Sequence, residues 1–483
     1  MLYLFKIYNY FYKLDIMTMR KNFFLLLILM SLTSCMGETQ FELPKKKAPI
    51  KFTNQKIINK INENTNVEID AYWWKSFNDP LLNKLINDCL KHNLDILAAT
   101  TRLQVANKNL KLAGIKNLPE INLNLGGNLL EEHNVDASND NKTTRNLQAG
   151  LNFSFSPDFA GQQNELAKVA IAEFEMEQAA LKGIMLKISS EVIQDYAQLR
   201  GIQEKIKLLK KYINLQEETL NSVRAEHNVG LSSNIDLQKS IISISTLKAD
   251  LSNLEEMRDI YILKLSDLSS KYRESYQFLL RKHTKPITYK GRVPNLIPIK
   301  VLNTRTDVRQ GEANLKKFIA RIGVAEADYY PTFTLNGNIN IGAEKVSSSS
   351  LTDILIGSLS AIITNTLFDG GKTAINVEIA KKEAEEALIQ YKQIMNRAIL
   401  DVESSLYSTE TIYKKITYLE DAVNASKNSL KQSESLYKEG FIDSLKLIDT
   451  RTMFINLKQR LIDEESKYSV EIAKLFLALG ISH

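Results

Sequence analysis

Pro119-Glu120-Ile121-Asn122-Leu123-Asn124-Leu125-Gly126-Gly127-Asn128 and Pro331-Thr332-Phe333-Thr334-Leu335-Asn336-Gly337-Asn338-Ile339-Asn340 are two versions of one pattern, 212 residues apart. In each, apolar and uncharged polar side chains alternate, which sends them to opposite faces of a β-strand. Two more landmarks recur at an offset of 210: Phe159-Ala160-Gly161-Gln162 against Asp369-Gly370-Gly371-Lys372, and His227-Asn228-Val229-Gly230 against Tyr437-Lys438-Glu439-Gly440. Landmarks in one order at nearly one spacing make a tandem duplication. Each half reads helix, strand, strand, long helix, tight turn, helix.

The second strand sets Leu147, Leu151, Phe153 and Phe155 against Gln148, Asn152 and Ser154. A fourth, Gly357 to Thr366, alternates poorly. Faces of Asn, Gln, Ser and Thr suit a watery lumen and apolar faces suit lipid. From the strands alone, a sheet with one face on a soluble core reads equally well. The polar connections Glu131 to Arg145 and Glu344 to Thr352 match the long outer loops of membrane barrels. Four strands cannot close, and hydrocarbon tolerates no open sheet edge, so a membrane sheet here must be completed by copies of the same chain.

Working outward, proline is absent between Pro157 and Pro286 and after Pro331. Such stretches suit long helices, since an internal proline breaks the hydrogen-bond ladder. Helices are expected from Gly161 to Asn228 and from Gly371 to Glu439, each on the order of 100 Å long. In the second, Tyr391, Met395, Ala398, Val402, Ser405, Thr409, Ile412, Ile416, Leu419, Val423, Ser426 and Leu430 follow four-three steps, a heptad seam. In the first, Leu181, Met185, Ile188, Val192, Tyr196, Leu199, Ile202, Ile206, Leu209 and Ile213 do the same. The intervening Glu and Lys read as a solvated face. Gly230 and Gly440 end the long helices, where a left-handed residue is favoured. Partner helices then run back from Ile235 to Tyr272 and from Ser444 to Leu479.

The chain begins with a leader. After Met19 come Arg20 and Lys21, then a short apolar core from Phe23 to Met30, a signal peptide rather than a membrane span. It ends in Leu32-Thr33-Ser34-Cys35, a lipobox that makes Cys35 the first mature residue and the site of acylation; a free cysteine after an ordinary signal is the plainer alternative. The true start is Met17 or Met19. Cys89 is then a lone thiol, read as a small buried hydrophobe. The expected divisions are 1–34 signal peptide, 35–70 lipidated extended segment, 71–272 first repeat, 273–304 linker and 305–480 second repeat.

Of 483 residues, 44% are hydrophobic and 24% charged. Leaving out the four basic and one acidic residues of the leader, 58 Lys and Arg face 55 Asp and Glu. That balance argues against nucleic acid. The five histidines are dispersed, with no metal-ligand pairing, and Gly126-Gly127 and Gly370-Gly371 lack the Lys-Ser/Thr of a phosphate loop. No enzyme, metal or cofactor is expected beyond the covalent lipid on Cys35. A periplasmic adaptor or scaffold lipoprotein would also use long coiled-coil hairpins, but with one hairpin and no duplication. A cell-wall enzyme would need a carboxylate pair in a compact domain.

These residues resemble the TolC-like outer-membrane factor family, in its lipoprotein branch. The resemblance rests on Trp73-Trp74-Lys75-Ser76-Phe77-Asn78-Asp79-Pro80-Leu81, on Arg305-Thr306-Asp307-Val308-Arg309-Gln310-Gly311-Glu312-Ala313-Asn314-Leu315, on Ile322-Gly323-Val324-Ala325, on Tyr330-Pro331, on Leu367-Phe368-Asp369-Gly370-Gly371-Lys372 and on Leu477-Ala478-Leu479-Gly480. It implies a mainly α chain with membrane β: a homotrimer whose twelve strands form one outer-membrane β-barrel, continued by a long α-helical barrel in the periplasm, with the 273–304 linker in its equatorial region. It further implies a passive exit duct for drugs or other small molecules, anchored among outer-membrane lipid, served by a periplasmic membrane-fusion adaptor and an inner-membrane pump of the RND type. A type I secretion duct is the alternative within the class. By position, Asp236, Tyr437 and Asp449 match residues that constrict the periplasmic tip, and Gly230 and Gly440 its turns. Ile442 stands where some members carry a locking arginine, and Lys446 where some carry another lumen aspartate.

Overall fold

The protein is described from a computed structural model covering residues 44, 46, 48–53, 72–116, 118–132, 142–281, 285–293, 298–346 and 352–481. The leader, Cys35 and the loop centres lie outside the described residues. The first repeat holds α1 (Pro80–His92), α2 (Leu94–Ile115), β1 (Glu120–Glu132), β2 (Lys142–Phe155), α3 (Gln162–Asn228) and α4 (Asn234–Leu268). Short turns at Arg273–Tyr276 and α5 (Phe278–Arg281) follow. The linker ends in α6 (Pro298–Thr304), and the second repeat holds α7 (Thr306–Ala327), β3 (Thr332–Val346), β4 (Thr352–Thr364), α8 (Lys372–Lys438) and α9 (Ser444–Leu479). Both α2 and α7 have 22 residues, and both α3 and α8 have 67, so the duplication extends to element length.

The chain divides into two units. One contains the antiparallel sheet, ordered β1-β2-β3-β4. Its strands run further into the connections than the sequence suggests. Leu129 pairs with Arg145, Glu131 with Thr143, and Glu344 with Thr352, because the Thr143-Thr144 pair favours an extended ladder over a turn. Asp158 accepts from the N–H groups of Gln163 and Asn164 at the start of α3, and Asp369 from Gly371 and Thr373 at the start of α8. These carboxylates satisfy free helix-end donors at the start of each long helix. Gly161, Gly370 and Gly371 adopt positive φ beside them.

The other unit is helical. The seam residues Ile188, Val192, Tyr196, Leu199, Ile202, Ile206 and Leu209 of α3 are buried, as are Tyr391, Met395, Ala398, Val402 and Thr409 of α8. Its largest core cluster contains the Trp73–Phe77 turn. Trp73 stacks on Phe476 with centroids 4.2 Å apart, while Tyr289 meets both Phe77 and Phe476 edge-on. Asp79 caps α1 through Leu81 and Leu82 and accepts from the Tyr196 hydroxyl at 2.8 Å. Arg200 donates to that hydroxyl and to Gln203, which donates to the Leu279 carbonyl. This buried polar chain joins α1, α3 and the inter-repeat segment. Cys89 is buried as a free thiol, and burial pushes it up to about 12, the environment of an inert hydrophobe. Helix α4 stops at Leu268, before the expected Tyr272, because Ser270 turns left-handed at φ 54°.

Arg305 makes a second clasp. Its guanidinium bonds Asp307 and Asp401 at 2.6 and 2.9 Å and reaches the carbonyls of Ala398 and Ala478. Gly480 closes α9 at φ 69°, where an added Cβ would lie 2.6 Å from the Arg305 Cα. The two ends of the second-repeat motif are therefore one contact.

Candidate functional site

The sheet separates its side chains into two chemistries across all four strands. One set of ladder partners reads Ile121, Phe153, Gly337 and Leu359, with Leu123, Leu151, Ile339 and Gly357 next. The opposite face reads Asn122, Asn152, Asn338 and Ser358, then Asn124, Gly150, Asn340 and Ile356. Asn338 donates to Ser358 of the neighbouring strand at 2.7 Å, and Asn340 donates to Asn338 along β3 at 3.2 Å. Gly150 makes room for this row, since a Cβ there would collide with the Asn340 side chain. The weak alternation of β4 has a clear form: Ser358 and Ser360 fall in line with Asn338 and Asn336, while Ile356 and Ile362 interrupt the polar face.

Leu123, Leu125, Leu147, Ile339, Leu355 and Leu359 are exposed on the other face. Chains of soluble proteins cover such a patch, whereas lipid requires it. Among the described residues no helix is long and apolar enough to cross a membrane.

At the helix turns, Gly230 and Gly440 share φ 77° and the same bond pattern. Gly230 N–H donates to His227 O and Leu231 N–H to Glu226 O; Gly440 and Phe441 repeat this with Tyr437 and Leu436. These paired reverse bonds are the usual glycine-terminated helix end. Val229, Leu231, Ile235 and Phe441 project apolar side chains into solvent around them.

The gate residues matched by position occupy different settings. The Asp236 carboxylate accepts from Ser233 N–H and Oγ–H while Ser233 Oγ accepts from Asp236 N–H, a capping box that starts α4. Asp449 is exposed. Tyr437 is half-buried and packs on the cluster of Leu209, Tyr212, Leu430 and Phe454. Ile442 is half-buried, and Lys446 is exposed with its N–H donating to the Asp443 cap of α9.

The strongest polar link near these turns is one the sequence reading passed over. Arg451 of α9, 7% exposed, donates from Nη1 to Leu215 O, Gln216 Oε1 and Thr219 Oγ1 of α3 at 3.1, 3.2 and 2.8 Å. Its only described counter-charge contact is Glu434 at 3.8 Å. Burial lowers the guanidinium's pKa against the opposing effect of Glu434. The signal was available, because Leu447, Arg451 and Phe454 stand at four-three spacing on the seam of α9.

The model of the outer membrane efflux protein family matches residues 85–269 and 297–481. Among curated relatives, the pyoverdine export outer membrane protein OpmQ of Pseudomonas aeruginosa is 23% identical, over 85% of this chain and 85% of its own. The probable outer membrane lipoprotein SilC of Salmonella typhimurium is 20% identical, over 91% and 94%. The solved outer-membrane channel OprN superposes with a TM-score of 0.82 at 21% identity, covering 92% of this chain and 98% of that one. The two matched segments are the two repeats, and together with the lipid-suited and lumen-suited faces of the sheet they establish that this chain belongs to the outer membrane efflux protein family.

Proposed function

We infer that the chain is the passive exit duct of a tripartite efflux pump, acting as a lipid-anchored homotrimer that receives small molecules from a periplasmic adaptor and an inner-membrane pump of the RND type. The observation that carries the assembly is the open sheet: among the described residues neither β1 nor β4 has a second neighbour, though both bear exposed leucines and isoleucines. Uncovered apolar positions on α2 (Leu97, Val105, Leu112) and α8 (Ile389, Leu400, Tyr407) are further surface for neighbouring copies. The apolar turns around Gly230 and Gly440 supply a docking surface for the adaptor.

Native mass spectrometry in detergent tests assembly and anchor together. The expected species is a trimer of chains beginning at Cys35, each carrying lipid mass, and the adduct should vanish in Cys35→Ala. A stable unlipidated monomer would sink both parts.

For the gate, the exposed Asp449 carboxylate on α9 is free to line a constriction, and Asp236 fixes the start of α4 at the companion turn around Gly230. Replacing both by Ala should raise single-channel conductance in planar bilayers. Conductance equal to wild type in a correctly assembled trimer would remove both residues from the gate.

A further inference from the structure

The duplication carries contacts as well as elements. The rung Ile121–Phe153 between β1 and β2, moved forward by 212 and 210 residues, is the rung Phe333–Ile363 between β3 and β4. Helices α3 and α8 begin 210 residues apart, and so do α4 and α9. One class of contact has no such image inside the chain: the contact that joins the first repeat to the second, β2 with β3 and α3 with α9. The same step takes β2 to β4 and α3 to α8, and returns β3 to β1 and α9 to α4. In one copy β1 and β4 are the two edges of the sheet, so the image of this contact needs a second copy.

The residues at the image positions fit one another. Ser154 opposite Asn336 becomes Thr364 opposite Asn124, a hydroxyl against a carboxamide in both. Phe153 opposite Gly337 becomes Ile363 opposite Leu125, so each face of the sheet keeps its chemistry across the junction. Ile362, which interrupts the polar face of β4, falls opposite Gly126, where an added Cβ would meet nothing nearer than 3.6 Å. In the helices, Ser190 donates to the Ala473 carbonyl and both residues are fully buried. Their images are Leu400 of α8 and Leu263 of α4, two apolar side chains 67% and 49% exposed. Arg451 on Thr219 becomes Ile241 on Ser429, so the image carries no buried ion.

We propose that copies of this chain join as its own repeats do, β4 of one pairing with β1 of the next at Ile363–Leu125, and α8 of one packing along α4 of the next at Leu400–Leu263. This rests on the assembly inferred above and supplies its register. The contact uses two different surfaces of the chain, so it is head-to-tail and closes as a ring. Lipid would cover the leucines but leave the backbone groups of β1 and β4 unpaired, which hydrocarbon does not tolerate.

Paired cysteines in the full-length protein, oxidised in native membranes, test the register. Within one chain, positions 125 and 363 stand three strand spacings apart, about 14 Å, too far for a disulfide. Leu125→Cys/Ile363→Cys should therefore run as covalent dimers and trimers in denaturing gels. Each single variant, which keeps only the buried Cys89 besides, should run as monomer. The slipped pairs Leu123→Cys/Ile363→Cys and Gly127→Cys/Ile363→Cys should cross-link about fivefold less or weaker still, because diagonal neighbours are about 7–8 Å apart. A short bis-maleimide should join chains in Leu263→Cys/Leu400→Cys but not in Leu263→Cys/Lys392→Cys, whose second site is about 12 Å further along α8. Native mass of each variant in detergent reports assembly separately. A trimer mass with no covalent bands, or with the strongest bands from a slipped pair, would overturn this register and leave the assembly standing. A monomer mass would overturn both.

Discussion

Trp73→Ala is expected to cost the helical unit about 3–5 kcal/mol, the range for deleting a fully buried large aromatic. Trp73 is 1% exposed and lies parallel to Phe476 within 2°, so the substitution removes both buried area and a stacked pair. Such a pair contributes about 0.5–1.5 kcal/mol beyond its area. The loss spreads, because Tyr289 rests against Phe476 and Phe77 and would face the void. Trp73→Phe should recover roughly half of the deficit, since a smaller ring can keep the stack. Unfolding of a membrane assembly is best read as a rate. If the contact forms late in folding, the Ala variant's half-life at fixed temperature should fall by roughly 150- to 5,000-fold. An Ala variant decaying as slowly as wild type would mean that the Trp-Trp opening does not anchor this core.

The sheet, the long helices and the heptad seam are legible in the residues because their signals are local. Period-two alternation in Ile121 to Leu125 and Phe333 to Leu335 fixes which side chains share a face whatever the strands pair with. The buried runs Ile188 to Leu209 and Tyr391 to Val402 follow from spacing alone. What was missed is polar and buried. Arg200, Arg305 and Arg451 are buried, each inside a helical contact whose partners lie between two and 236 residues away. Arginine tolerates such places because its fork can satisfy several acceptors at once. Asp236 is legible locally: Ser233-Asn234-Ile235-Asp236 is a capping signature, and its bonds display that role. The strand ends are less legible, because Thr143 and Thr144 stand among polar loop residues while their β-branching favours the ladder.

The largest expected effect near the turns belongs to Arg451→Ala. Gln216 is 2% exposed, so losing the guanidinium strands its Oε1 away from water at about 1–3 kcal/mol. The Thr219 hydroxyl keeps its bond to the Leu215 carbonyl but loses its donor, while a cavity opens beside both. A total near 3–5 kcal/mol matches the breaking of buried charged networks. Arg451→Met separates the charge from the packing. It fills much the same volume without the ion, whose single counter-charge at 3.8 Å offsets its desolvation poorly, so Met should cost less than Ala. Hydrogen exchange should show the same order, with amides of residues 215–219 and 434–451 least protected in Ala and intermediate in Met. Because Tyr437 packs on the cluster that contains Phe454, a loosened Arg451 should also free the turn that carries it and raise conductance without dissociating the assembly. Protection and conductance both equal to wild type in an intact assembly would show that α3 and α9 are held there by their apolar seam alone. In that case the polar tie contributes nothing to the position of the tips, and any control of opening must come from contacts between copies.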